Sequence, residues 1–567
     1  MRLLAAIALF FISLGMLFFG VAERTIWAPP PSHNLAVNYD STNPYVVIPA
    51  STLLSFAGNP SITVSGTSKV FISSGREADV LAWVGQSAHT ELKVLSEKAN
   101  PKLEPNSIYG SGLLASPVGS DLWRSSVSAN STASLEIANT DGAAVLVASD
   151  GIASAPGRIS IDWPIAHDLT QSNFLLIGGG IVLLAAFLMN IWAIGHHRRK
   201  RGPRRKVPRA PQGPRTRRRT SQIVVPARGR RAARKVRYAA AMAIGLAALS
   251  GCATGASSPT PTPTSTGDSV QLSPPALNSA QIERIIQNVS EVATKADKNG
   301  QKSLLSLRFS GPAFDMRAAH YFLQSKSKKV SGPTQIAGSP LTFSLPAATS
   351  EWPRSVMIVT DPPGETLPQM VILQQDTPRS QYLVNFVVGL MPGAKIPAVA
   401  VPEVGAIPAS ADSVYLRLPP KDIPVTYGDV IDNGAASLSS AAYDVTHDAF
   451  YKDVAAGQKA QIDKLNKGKI KFKHTLGSSQ VIALSTTSGG ALVAIFMKDY
   501  YTITPVKAGS AVSVSGLEKI MLGVGGSTKG IRSIYGDMML FYVPALSNNE
   551  RIRLLGVTQG LLDVKGL

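Results

Sequence analysis

Cysteine is all but missing: Cys252 is the only one in 567 residues. No intramolecular disulfide can therefore hold the fold, and no zinc site built on several thiolates can form. Charge is thin too, at 16% of residues against roughly 25% in ordinary soluble domains. Catalytic signatures are absent as well. There is no Gly-x-Ser-x-Gly elbow, no His-Glu-x-x-His pair and no Asp-x-Asp motif for a metal-bound nucleotide. The histidines (His33, His89, His167, His196, His197, His320, His447 and His474) are scattered. His447 with Asp444 and Asp448 comes nearest to a cluster, and Asp448 reads better as a helix cap. In "GVGGSTKG", Gly523 to Gly530, the lysine follows Ser-Thr and a strand-like run comes next. A phosphate loop needs Gly-Lys-Ser/Thr opening a helix, so this stretch reads as a turn. Ser325-x-x-Lys328 lacks the Lys-Thr-Gly partner of penicillin-recognising sites. No catalytic residue, metal ligand or cofactor is assigned.

Acid is missing from one long stretch. Residues 196–237 carry 18 Lys and Arg and no Asp or Glu, which accounts for all but two of the +20 net charge. Basic residues beside apolar spans mark the cytoplasmic side of a membrane. The stretch has prolines and no interleaved aromatics, so no specific nucleic-acid partner is expected.

What the chain does have is long apolar runs. Leu3 to Ala22 and Phe174 to Ile194 are uncharged over 20 and 21 residues, about 30 Å of helix each. The first reads as an uncleaved anchor (1–22), with a signal peptide ending at Gly20-Val21-Ala22 as the alternative. The second (174–194) is followed at once by His196, His197, Arg198 and Arg199, and Gly178 to Gly180 within it read as a helix-packing surface. This layout puts a basic loop (195–237) inside and residues 23–173 outside. Residues 238–252 form a third, shorter apolar segment ending Leu249-Ser250-Gly251-Cys252. That ending resembles the lipobox of bacterial lipoproteins, in which the cysteine thiol accepts the lipid and small residues before it fit a protease cleft. The basic loop supplies the positive region that such a signal needs. Lipidation of Cys252 is the leading expectation, and a weak third span is the alternative. Either way the C-terminal part lies outside, after a Ser/Thr/Pro linker at 253–275.

Short β-branched stretches fill residues 23–173: "SITVSG", "KVFISS", "DVLAWVG", "ASLEIAN", "AAVLVAS" and "GRISIDWP". They predict an all-β exported domain, a sandwich or barrel. Further on, Asn278 and Gln281 form a capping box. Ile282, Ile285, Ile286, Val289, Val292 and Ala296 then keep helical spacing. Strand-like runs follow. A second helix near Asp448 to Leu465, presenting Phe450, Val454, Ile462 and Leu465, precedes another series of strands. The order predicts two α+β modules, 276–425 and 426–567, of the cystatin-like or NTF2-like build.

"LVASDGIASAPGRISIDWP", "RRKRGPRRK", "LAALSGC", "RFSGPAFDMRAAHY", "VILQQDTPRSQYLV", "GSTKGIRSIYGDMMLFYVPA" and "IRLLGVTQGLL" resemble a family of actinobacterial envelope membrane proteins. That family is described by a C-terminal domain of unknown function, and some of its members carry a glycosyltransferase label. The resemblance implies the membrane layout and supplies no catalytic residues. The functional expectation is a multi-pass, lipoprotein-like envelope protein that binds or scaffolds. Membrane lipid, envelope proteins and a glycan or lipid ligand are its partner classes. An enzyme of envelope glycan or lipid metabolism is the alternative.

Overall fold

The computed structural model of the chain describes residues 2–28, 30–66, 69–95, 101–165, 169–200, 273–364, 367–465, 468–478, 480–507 and 509–567. Residues 201–272 lie outside these. They hold most of the basic segment, the third apolar segment with Leu249, Ser250, Gly251 and Cys252, and most of the linker. Two compact units result: residues 1–28 with 168–271, and residues 29–167 with 272–567.

The first unit contains two helices, α1 (Arg2–Thr25) and α4 (Thr170–Lys200). Their segments Leu4–Thr25 and Thr170–His196 are long and apolar enough to cross a membrane. They run antiparallel along a line of small residues. Ala6, Ser13 and Gly20, one every seven positions, face α4, and Ala6 and Ser13 are buried. A Cβ on Gly20 would meet Leu176 Cγ at 2.9 Å, and one on Gly179 would meet Leu17 Cγ at 3.0 Å. The glycines therefore set how closely the backbones approach. At the open end, Ser172 Oγ donates to Gly20 O (2.9 Å) and receives Arg24 Nε (2.8 Å).

In the second unit, residues 29–167 fold as β1 (Ser32–Asn38), β2 (Tyr45–Ile48), α2 (Ala50–Leu53), β3 (Ser61–Ser65), β4 (Val70–Arg76), α3 (Glu77–Val84), β5 (His89–Leu95), β6 (Lys102–Ile108), β7 (Ser125–Ala129), β8 (Thr132–Glu136), β9 (Ala143–Ala148) and β10 (Arg158–Pro164). One sheet has the order β1-β10-β3-β8 and the other β6-β5-β2-β9-β4-β7. The all-β expectation is therefore wrong: this segment is mixed α/β. β2 and β5 pair in parallel, and the stretch "DVLAWVG" lies largely in α3 rather than in a strand. A short apolar run is compatible with either element until packing decides. Here Glu77 and Asp79 occupy the first turn, where acids suit a helix, and Gly85 ends it at φ +57°. Val80, Trp83 and Val84 then fill the core against Tyr45, Phe71 and Leu146.

Residues 272–567 begin with α5 (Ser279–Asn299), α6 (Lys302–Leu305) and α7 (Gly311–Lys326). A four-stranded antiparallel meander follows, β11 (Leu341–Pro346), β12 (Arg354–Thr360), β13 (Gln369–Gln375) and β14 (Leu383–Gly389). After α8 (Ile423–Asn433) and α9 (Ala449–Lys464) come β15 (Gly468–Leu476), β16 (Ile482–Ser485), β17 (Ala491–Pro505), β18 (Val512–Ser513), α10 (Gly516–Leu522), β19 (Gly526–Ser527), β20 (Ile531–Val543) and β21 (Arg553–Gly566). The larger sheet has the order β15-β17-β20-β21, with β16 also on β17.

Two separate cystatin-like or NTF2-like modules are not what forms. A single core joins Ile282 and Val289 of α5, Ile358 and Phe386 of the first sheet, and Phe496, Met538 and Leu540 of the second. The cause is that β17 and β20 are apolar on both faces. Leu492, Ala494 and Phe496 face the shared core, while Val493, Ile495 and Met497 pack with Tyr427, Val430 and Ile431 of α8. Such doubly buried strands need cover on each side. Ile462 of α9, expected on a core face, is 54% exposed. The Asn278–Gln281 capping box forms as the sequence spacing suggests.

Candidate functional site

Within the second unit, the two chain segments meet along a polar seam. Asp79, in the first turn of α3, is 2% exposed. Its carboxylate takes Arg76 Nε (2.8 Å) and Nη2 (2.9 Å) from its own segment and pairs with Arg354 Nη1 (2.8 Å) from β12. Arg354 is fully buried, with its guanidinium 3.5 Å from the centroid of the Trp352 ring. Burial pulls Arg354 below its ordinary pKa, and the Asp79 charge opposes the fall. Arg76 also donates to Pro274 O and Pro275 O at 3.1 and 3.2 Å.

A second buried pair lies nearby. Asp121 accepts from Arg308 Nη1 (2.6 Å) and from the Tyr382 backbone N–H (2.9 Å). The carbonyls around it are taken up in turn. Gln281 Nε2 donates to Leu122 O (3.0 Å) and Arg284 Nη2 to Trp123 O (2.6 Å). At the far end of α3, Arg379 donates to Trp83 O (2.7 Å), Val84 O (3.0 Å) and Ser87 Oγ (3.0 Å), and lies over the Trp83 ring. It thus satisfies the helix's last carbonyls at the negative end of its dipole. Beside the Asp79 group, a partly polar cavity of about 530 Å³ is lined by Arg76, Asp79, Arg124, Glu136, Gln281 and Glu403.

A second constellation sits in the larger sheet. His474 of β15 faces Asp499 of β17 across the ladder. Its Nδ1 is 2.5 Å from Asp432 Oδ1 at the end of α8, and its Nε2 is 3.4 Å from Asp499 Oδ2. The side chains of His474 and Asp499 are fully buried, and that of Asp432 is 26% exposed. Burial alone lowers the imidazole pKa, but the hydrogen bonds and charges of Asp432 and Asp499 outweigh it and raise it to about 9. Asp537, on β20, is also fully buried. Burial, and then the Asp499 side chain beside it, push its carboxyl well above its ordinary value. The set is a buried imidazole with Asp432 and Asp499 at its two ring nitrogens and Asp537 alongside. Among the described residues no group of three or more His, Cys, Asp or Glu side chains is arranged to hold a metal ion.

The sequence motifs take structural roles. Asp448 caps α9 by accepting from Tyr451 N, and also receives Tyr427 Oη (2.6 Å). His447, 82% exposed at its side chain, pairs with Asp444. Gly523 ends α10 at φ +75°, and the turn through Lys529 leads into β20. Leu249, Ser250, Gly251 and Cys252 lie outside the described residues. The seam and the His474 group went unnoticed in the sequence because their members lie on separate elements. Asp499 in "ALVAIFMKDYYTITP" and Asp537 in "IRSIYGDMMLFYV" do carry one signal, an acid on the inward phase of an apolar strand.

The chain thus combines two helices long and apolar enough to cross a membrane, consistent with membrane anchoring or a signal sequence, with two mixed α/β segments joined by buried arginine–aspartate pairs. Residues 273–566, just over half of the chain, match the family described as Domain of unknown function (DUF8094), and the protein belongs to that family. No curated protein and no solved structure matches the chain.

Proposed function

We propose that the protein is a lipoprotein-like component of an actinobacterial-type cell envelope that binds or scaffolds, with its body held outside the membrane. The seam carries this reading. Two folds joined by the buried Asp79 and Asp121 pairs, with a partly polar cavity beside the Asp79 group, make a platform, and the cavity suits a hydroxyl-rich or zwitterionic group of a glycan, lipid headgroup or peptide. Sidedness rests on the cations that follow the second apolar helix. Anchoring is by that helix, by α1 and by acyl chains on Cys252 after Leu249-Ser250-Gly251. Each buried acyl CH₂ contributes about 0.8 kcal/mol, so two or three chains hold firmly. The rival reading, an enzyme of envelope glycan or lipid metabolism, has the His474 group to draw on. Those side chains face one another in the interior, and only Asp432 reaches solvent.

Labelled fatty acid tests the anchoring directly. Wild type incorporates it and Cys252→Ala does not. Equal labelling of both, or of neither, refutes acylation at Cys252. Protease shaving of spheroplasts should degrade residues 29–167 and 273–567, and an intact C-terminal part would refute the sidedness.

A further inference from the structure

We propose that residues 29–167 and 272–567 are two separately closed folds that stay bound through the seam when the chain between them is cut, so that the protein persists as a two-piece complex. The proposal extends the reading given for Cys252, because processing at Gly251–Cys252 would then leave the C-terminal piece attached to its N-terminal partner rather than free.

The first observation is that each segment completes its own strand ladders. Among the described strands, no ladder pairs one from 29–167 with one from 272–567. The cores are equally self-contained. Two core clusters draw only buried residues from the first segment and three only from the second, with the partly buried Trp352 packing across. What joins them is side chains, as at an interface between subunits. The contact is also complementary in charge. The first segment offers the buried carboxylates Asp79 and Asp121 and the carbonyls of residues 83, 84, 122 and 123. The second offers Arg284, Arg308, Arg354 and Arg379. Arginine and tryptophan at the centre of a desolvated contact are the residues that dominate binding energy between proteins. Residues 168–271, which connect the segments, belong with the other compact unit. The covalent connection adds effective concentration to the seam without adding a contact within it.

The test uses the full chain in detergent micelles, with an N-terminal affinity tag, Cys252→Ala, and a protease recognition sequence replacing residues 260–265. After cutting and dilution to about 1 µM, a concentration that only a specific interface withstands, the 266–567 fragment should co-elute with the tagged piece. Asp121→Ala should weaken retention at least about 30-fold, because Arg308 is left buried without its partner. If that variant misfolds, Arg379→Ala, which removes a guanidinium at the seam's edge, should still speed release. A folded 266–567 fragment in the flow-through of the otherwise unaltered protein overturns the proposal, as does retention that neither substitution changes. Because Cys252 is absent from this protein, failure of the fatty-acid labelling would refute acylation and leave the seam result standing.

Discussion

Raising the pH should loosen the larger sheet through His474. The imidazole stands at about 9 in the folded protein, against roughly 6.5 in an unfolded chain. Its contribution is therefore fully present below the unfolded value and is lost as pH rises through the folded one. The gap is worth about 3 kcal/mol by proton linkage, and the fully buried side chain leaves little solvent screening to reduce it. Asp537 acts in the same direction, since a raised carboxyl keeps a proton that the unfolded chain releases. Hydrogen exchange of peptides covering β15, β17 and β20, corrected for the intrinsic pH dependence, reads the local opening energy. Between pH about 6 and about 10 it should fall by about 3 kcal/mol, while β2 and β9, far in sequence and sharing no core residue with this set, change less. His474→Gln should flatten the profile. Protection that is constant or rises with pH, or a His474→Gln profile as steep as wild type, would refute the assignment of an imidazolium held by Asp432 and Asp499.

Other expectations follow from single contacts. Asp79→Ala leaves Arg76 and Arg354 buried without their carboxylate and should cost about 3–5 kcal/mol, seen as a lower thermal midpoint of the body. Lys459→Ala, at an exposed pair with Asp463, should change that midpoint far less. Asn278→Ala removes the reciprocal cap of α5 and should cost about 1 kcal/mol, read as faster exchange at the first turn of that helix.

Local rules were enough for much of this protein. Length and hydropathy by themselves determine the two membrane-length helices, because an uncharged run of 20 residues admits few other fates. The Asn278–Gln281 box and the Asp448 cap depend on neighbours three residues apart, so they were legible before any fold was known. Strands such as Ser61–Ser65 and Arg158–Pro164 alternate at period two and declare themselves. Tertiary structure decided the rest. "DVLAWVG" became largely helix because Val80, Trp83 and Val84 complete a core with Tyr45 and Leu146. Ile423, Tyr427, Val430 and Ile431 keep helical spacing, yet only the second apolar face of β17 and β20 shows why a helix must lie there. The Asp79–Arg354 and Asp121–Arg308 pairs join residues 275 and 187 positions apart in the chain, and the His474 group draws on α8, β15, β17 and β20. No periodicity links such residues, since charges choose partners by distance in space and by how much water folding removes around them.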